Sequence, residues 1–327
     1  NLGENFNTAI GTNALGAETS GSDGGTAIGH GALATQNRDG SKNTAIGYNA
    51  LTALIATAGS NYGGMQNTAV GYEAGGSGAF GGGSDGGSNE YGSDNTLLGY
   101  QAGKAITTGQ NNTILGSQAG STITTGATNV IIGMGAGNAF TNNNQNIAIG
   151  YGAIDAATGG EHYNVAIGHA ALSGENSNAN YCTAVGHHAL LLQNADVKNT
   201  AIGGLAGDAI VGGADNTYVG YHCGSASVDT NQNTAVGNLT YAKGTGTGNT
   251  CFGDRAGSSV ANTGTAMSGS NNTCVGKNAG YTLTDGPGNV LLGHSAGMAM
   301  STSDYNVAVG WNALAALTTN SHGNIAI

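Results

Sequence analysis

Histidine is the residue type in this chain of 327 residues that is best suited to bind a metal ion. Four of the eight histidines directly follow a glycine that ends an apolar triplet: His30, His169, His187 and His294. His169 and His187 fall in consecutive copies of this motif, and stacked strands would hold them about 5 Å apart. In a trimer, six imidazoles would then surround one short stretch. The same position also holds side chains without a shared chemistry: Tyr48, Tyr72, Asp254, Lys277 and Trp311. This mixture favours a tolerant edge position, so we predict no metal site and leave open whether His169 and His187 bind an ion.

Catalytic constellations are not evident among the titratable residues. The chain has 18 acidic and 7 basic residues, and adjacent pairs such as Glu161–His162 and Asp254–Arg255 belong to no convergent set. Glycoside-cleaving sites need paired carboxylates in a groove. The glycine-rich stretch GGGSDGGSN (81–89) is followed by no lysine and opens no helix, unlike a phosphate-binding loop. We therefore predict no catalytic residue, no cofactor and no enzyme activity.

Cysteine usage and net charge exclude further classes of function. Cys251 and Cys274 share one repeat position in consecutive copies, and we interpret them as small buried hydrophobic residues rather than as metal ligands. The formal net charge of −11 would repel the phosphates of nucleic acid. No apolar run approaches the 18 residues of a membrane span, so we predict no membrane insertion.

A short repeat explains where all these residues stand. Seventeen copies of a motif such as NTAIGY (43–48) run through residues 1–327, each indexed here by the glycine that follows its triplet, which we call the reference glycine. Thirteen of the sixteen steps between reference glycines are 16 to 18 residues long. A unit this short indicates a solenoid of about seventeen coils in one domain. The chain begins and ends inside a repeat, so we expect a segment of a longer protein.

The triplet has the composition of a β-strand covered on both faces. Its first position is threonine, valine or isoleucine, and its last is isoleucine, valine or leucine, or once Phe252. Its middle position is alanine in ten copies and is otherwise an apolar residue. We predict an all-β parallel β-solenoid (a β-roll or β-helix) of 17–18-residue coils, with its handedness open. The large residues at the last position are predicted to form the core: Ile10, Ile28, Ile46, Ile132, Ile149, Ile167 and Ile202. Because the middle positions (Leu97, Ile114, Ile131, Leu291) then need another cover, we predict a homo-oligomer, most simply a trimer.

Asparagine precedes the strand in fifteen copies, and insertions lengthen three coils. We interpret the asparagines as turn residues that stack in amide ladders rather than as a row of ligand-binding groups: Asn43, Asn67, Asn129, Asn146, Asn199 and Asn233. The insertions lie at 52–66, 76–94 and 258–271. In the second of these, Phe80 and Tyr91 are candidate residues of a surface-binding loop that could meet a glycan. A loop without function explains the same residues.

The pattern N-[TV]-A-[IV]-G-x-x-A resembles the head repeat of YadA-like trimeric autotransporter adhesins and the similar repeats of phage tail fibres. The motif covers the whole chain, although the unit is longer than the usual head repeat. This resemblance implies a left-handed parallel β-roll with three chains in a fibre, and it transfers no receptor-binding residue.

Together these features predict a structural extracellular segment of a trimeric surface adhesin or a phage tail fibre, on a cell surface or a virion. Its expected partners are two further copies of itself and a host-surface glycan or protein. The alternatives are a free extracellular filament without receptor binding and, less favoured, an ice-binding solenoid. The last is disfavoured because threonine shares a face with the aliphatic residue that is predicted to be buried.

Overall fold

A computed structural model describes residues 6–17, 24–35, 42–54, 64–76, 92–157, 160–174, 180–194, 198–258, 266–318 and 320–327. These residues contain no helix, and thus none that could cross a membrane. They fall into two compact units, the first ending at Asn164 and the second beginning at Val165. Each unit is a stack of the predicted coils; a single continuous shaft stays a prediction.

The strands coincide with the apolar triplets. The first unit contains β1 (Thr8–Ile10), β2 (Thr26–Ile28), β3 (Thr44–Ile46), β4 (Thr68–Val70), β5 (Thr96–Leu98), β6 (Thr113–Leu115), β7 (Val130–Ile132) and β8 (Ile147–Ile149). The second contains β9 (Val165–Ile167), β10 (Thr183–Val185), β11 (Thr200–Ile202), β12 (Thr217–Val219), β13 (Thr234–Val236), β14 (Thr250–Phe252), β15 (Thr273–Val275), β16 (Val290–Leu292), β17 (Val307–Val309) and β18 (Ile325–Ala326).

Within each unit, every strand pairs in parallel with the next one along the chain. The register places identical repeat positions opposite each other, for example Thr96 against Thr113 and Leu98 against Leu115. The all-β parallel β-solenoid is therefore confirmed, with coils of about 17 residues. The strands that flank the insertions keep this register too, with Thr44 opposite Thr68, Thr68 opposite Thr96 and Thr250 opposite Thr273. The coil spacing is thus independent of the length of the connecting segment.

The interior of the coil is lined by the middle strand position, which corrects our assignment of the two faces. Leu97, Ile114, Ile131 and Leu291 are fully buried within a single chain. The residues predicted as core point the other way: Ile10, Ile167 and Ile202 are 59%, 37% and 41% exposed. The remaining four are half-buried: Ile28, Ile46, Ile132 and Ile149. The prediction that the last position fills the core is therefore wrong.

The physical reason is that a thin coil has room for one large side chain at this level. Either the middle strand position or the fourth residue after the reference glycine provides it. Where the middle position is alanine, as at Ala45, the fourth residue after the reference glycine is usually large, as at buried Leu51. Where the middle position is large, as at Leu97, the fourth residue is glycine; a Cβ at Gly103 would stand 2.8 Å from Leu97 Cδ2. No copy of the repeat has a large residue at both positions. A third large residue closes the core, for example Ile106, Ile123 or Phe140.

The reference glycine is required by the stacking of the coils. Gly99 has φ +141°, and a Cβ on it would stand 2.4 Å from the carbonyl oxygen of Gly116 in the next coil. Both the backbone conformation and the close approach exclude a side chain. A φ between +126° and +141° recurs at all seventeen reference glycines.

Candidate functional site

The first and last positions of each strand form an outward face, which we call the outer strand face. In the first unit, six consecutive strands place threonine at the first position, and each threonine lies opposite the next in register: Thr8, Thr26, Thr44, Thr68, Thr96 and Thr113. Parallel strands repeat every 4.8 Å or so, so the hydroxyl groups form a regular row.

A row of aliphatic side chains runs beside these threonines. Leu98 and Leu115 are 45% and 39% exposed, and in the second unit Phe252 and Val275 are exposed as well. No charged residue stands at the first or last strand position in any copy. The middle residues that we expected between chains are inside the coil, so the surface that an apolar partner could cover is the outer strand face.

Aromatic rings stack along the position that follows the reference glycine. Ring centroids are 5.1 Å apart for His30 and Tyr48, 5.2 Å for Tyr48 and Tyr72, and 5.4 Å for Tyr72 and Tyr100, with nearly parallel planes. Tyr48 and Tyr72 thus have a neighbouring ring on both faces. These rings stabilise the stack of coils and present mainly their edges to the surroundings.

An ion pair joins two of these coils beside the rings. Lys104 Nζ lies 2.7 Å from Glu73 Oε2, and the amide of Gln101 donates to the same carboxylate oxygen at 2.9 Å. Hydrogen bonds from Lys104 and Gln101 lower the pKa of Glu73. At this partly exposed position the pair adds little to stability.

The predicted asparagines form a buried amide ladder, which confirms the structural interpretation. Asn112 donates from its backbone N–H and from Nδ2 to Asn95 Oδ1, at 3.1 and 3.0 Å, and Asn129 repeats this pattern on Asn112. Nδ2 of Asn112 also donates to the carbonyl oxygen of Gly126 at 2.9 Å. All six predicted asparagines are buried: Asn43, Asn67, Asn129, Asn146, Asn199 and Asn233. A buried row whose amides bond one another offers nothing to an external ligand.

The left-handed backbone conformation of the turn lies one residue before the asparagine. Lys42, Gln66 and Thr128, which directly precede ladder asparagines, have φ of 46°, 58° and 61°, whereas the asparagines themselves have no positive φ. The turn therefore does not require asparagine. The buried ladder does, because the side-chain amide supplies an oxygen that accepts from the next coil and an NH₂ group that donates both to the previous coil and to a backbone carbonyl oxygen.

The structure describes the two cysteines but not the candidate residues of the surface-binding loop. Phe80 and Tyr91 lie outside the described residues, and so do the central parts of all three insertions. Cys251 and Cys274 are free, buried and opposite each other in register, as predicted. The hydrogen-bonding contact with the neighbouring Cys274 thiol, together with burial, raises the pKa of Cys251.

The adjacent charged pairs named from the sequence make local contacts. Glu161 is buried and accepts a hydrogen bond from the side-chain amide of Asn143. His162 Nδ1 accepts from the backbone N–H of Asn144 at 3.0 Å, and Asp254 accepts from the Asn238 amide at 2.9 Å. These contacts link neighbouring coils.

Three histidines of the second unit come together, and only two of them, His169 and His187, were predicted to be neighbours. His169 and His187 stack with centroids 5.1 Å apart, and His188 lies 3.8 Å from His187 and 5.3 Å from His169. One nitrogen from each ring lies within 4.8 Å of the others. The signal that was missed is the dipeptide His187–His188, because the comparison was made along a single repeat position.

A comparison of the chain with protein-family models gives no match. A comparison with curated proteins gives none either.

Proposed function

We propose that this chain is a structural segment of an extracellular fibre, assembled from three copies through the outer strand face. The observation that carries the proposal is the exposed row of aliphatic side chains on that face, with Leu98 45% and Leu115 39% exposed in the single chain. Removing apolar surface from water contributes about 25 cal/mol per Å². A row repeated along a solenoid is a large apolar surface to leave in water.

Another copy of the chain is the partner that fits this face best. The face is uncharged at its first and last strand positions and repeats with the spacing of the strands. An identical face has the same spacing, so side chains of one copy can fit between those of another along the whole length. A globular partner has no such periodicity. The resemblance to trimeric adhesin and tail-fibre repeats supports three copies.

The purpose of such a fibre is attachment to a surface glycan or protein. The residues of the coil interior are used in packing. The repeated coils present similar surfaces, so a partner could hardly distinguish one coil from another. Specific recognition would therefore reside in the insertions, above all in 76–94 with Phe80 and Tyr91. A filament that assembles but binds no host glycan or protein would be a structural filament only.

The test of assembly places charge on the outer strand face. In the variant Leu98→Asp/Leu115→Asp, adjacent strands each carry a carboxylate that assembly would bury, so the mass measured by light scattering should fall to that of one chain. The matched control is Gln110→Asp/Thr125→Asp, which adds the same charge to turn segments of the same two coils. Retention of the oligomer by the strand variant, with unchanged circular dichroism, would contradict assembly through this face.

Ice binding is a second candidate, and one observation now favours it. The threonines of β1 to β6 lie on an outward face in register, whereas this face was predicted to be buried. A flat row of hydroxyl and methyl groups is the surface such a function needs. It requires the face to stay uncovered, so it is incompatible with assembly through it.

The two candidates are separated by measuring thermal hysteresis. An ice-binding chain would be monomeric, would depress the freezing point, and would lose this effect in Thr96→Lys/Thr113→Lys. A fibre segment would be oligomeric and would show no thermal hysteresis in either form.

A further inference from the structure

The histidine cluster of the second unit combines one residue from one coil with two from the next. The in-register pairing of β9 with β10 places Thr183 opposite Val165, so the residues that follow the two reference glycines also align. His169 and His187 are therefore neighbours across the coils. The backbone N–H of His188 donates to the carbonyl oxygen of His169 at 3.0 Å, which holds the third residue beside them.

The backbone conformation of His188 brings the two adjacent side chains together. Its φ is 57°, in the left-handed region that this repeat position also adopts in other coils, for example at Glu73 and Gln101. In this conformation the rings of His187 and His188 lie 3.8 Å apart, whereas adjacent residues of an extended strand point in opposite directions. Stacking along the coils needs only one ring per coil, as in the Tyr48–Tyr72 pair, so it does not account for His188.

The surroundings leave room for an ion and its remaining ligands. His169 and His187 are exposed and His188 is half-buried, so an ion can enter from the surface. The next coil has Gly204 at the position of His187, and a Cβ there would have only the Tyr221 ring within 4 Å.

We infer that His169, His187 and His188 bind one divalent transition-metal cation of the class that prefers imidazole, such as Zn²⁺, Ni²⁺ or Cu²⁺. Zinc–nitrogen bonds of about 2.0–2.1 Å in a tetrahedron require nitrogens about 3.3 Å apart. The three nitrogens lie within 4.8 Å of one another, and side-chain rotation of two exposed histidines closes this difference. Three protein ligands leave further coordination positions for water or a partner's ligand. The ion would join two consecutive coils.

The test is calorimetric titration of the intact chain with ZnCl₂ and with NiCl₂, together with thermal unfolding. We expect one ion per chain and a thermal midpoint that rises with metal and returns after EDTA, because the ion binds the folded coils only. His169→Gln and His188→Asn should each lower the affinity at least tenfold. Asparagine is chosen at 188 because it tolerates a positive φ.

The control is His30→Gln, at the same repeat position as His169 and His187 but stacked on Tyr48 rather than on histidine. It should leave the titration unchanged. Circular dichroism of each variant establishes that the coils are retained. The inference is overturned if the wild-type chain takes up no ion, or if folded His169→Gln and His188→Asn bind as the wild-type chain does.

Discussion

At the residue scale, the asparagine ladder shows how one polar side chain can be needed in every coil. Each ladder amide accepts from the next coil and donates to the previous one, so a missing member leaves the buried backbone N–H of the next ladder asparagine without its acceptor. Cys182 interrupts the column, and there Gln193 bridges the gap, donating to Cys182 Sγ at 2.9 Å and accepting from Asn199 at 2.9 Å. A buried amide group without a partner is costly, and this substitution of one bridge for another is consistent with that cost.

We predict that Asn112→Ala lowers the free energy of unfolding by about 1–3 kcal/mol, because the buried backbone N–H of Asn129 loses its acceptor, whereas Nδ2 of Asn129 keeps its bond to the carbonyl oxygen of Asn143. Chemical denaturation followed by circular dichroism measures this change. Asn138→Ala, at an exposed position, is the control and should change stability by less than about 0.5 kcal/mol. Equal losses of stability in the two variants would contradict a specific contribution of the ladder.

At the element scale, the coil is a strand of three residues and a set of turns whose interior volume is shared between two positions. One coil combines Ala45 with Leu51, and another combines Leu97 with Gly103. In each coil one large side chain fills the interior without overlap. The conformation at the fourth residue supports this arrangement, because Leu51 has φ 46° and Gly103 has φ 56°. A leucine at that position is thus held in a conformation that glycine adopts more easily.

This sharing is tested by moving the large side chain within one coil. Ala45→Leu alone should destabilise the chain by about 1–3 kcal/mol through overpacking. Leu51→Gly alone should destabilise it by about 2–5 kcal/mol, because it leaves a cavity. The double variant restores the pattern seen at Leu97 and Gly103, so its loss should be smaller than the sum by at least about 1 kcal/mol. Strict additivity in a double-mutant cycle would mean that the two positions do not share one space.

The sequence predicted the strands and their parallel register because both follow from the period of the repeat and from its β-branched residues. It assigned the two faces wrongly because Ala45 was judged alone, without Leu51, which lies six residues later and fills the space that alanine leaves. The ladder was predicted from its repetition. The third histidine of the cluster was not, because its contact depends on the positive φ of the second residue after the reference glycine, which residues as different as Glu73, Gln101 and His188 adopt.

At the scale of the whole molecule, the buried tyrosines make stability depend on alkaline pH. Burial raises the pKa of Tyr218 from 10.0 to about 12 and also raises the pKa of Tyr241. Below pH 10 both phenols are protonated in the folded and the unfolded chain. Above it the unfolded chain releases protons that the folded chain retains, so the unfolded state is favoured.

We therefore predict that the free energy of unfolding falls as pH rises from about 10 to about 12, with Tyr218 contributing about 2–3 kcal/mol. Denaturation curves at several pH values measure the slope. Tyr218→Phe should reduce that slope, although it loses the hydrogen-bonding contact with Thr230 and starts from a lower stability at pH 7. A slope that Tyr218→Phe leaves unchanged would contradict this assignment.

The central claim also belongs to the scale of the whole molecule, because it concerns what covers the outer strand face. The most direct test is sedimentation equilibrium of the wild-type chain at micromolar concentration. One chain has a mass of 31.8 kDa, so a homotrimer is expected at three times that value, about 95 kDa. We predict that the 95 kDa species dominates. A stable, folded monomer of 31.8 kDa across the concentration range would contradict the account.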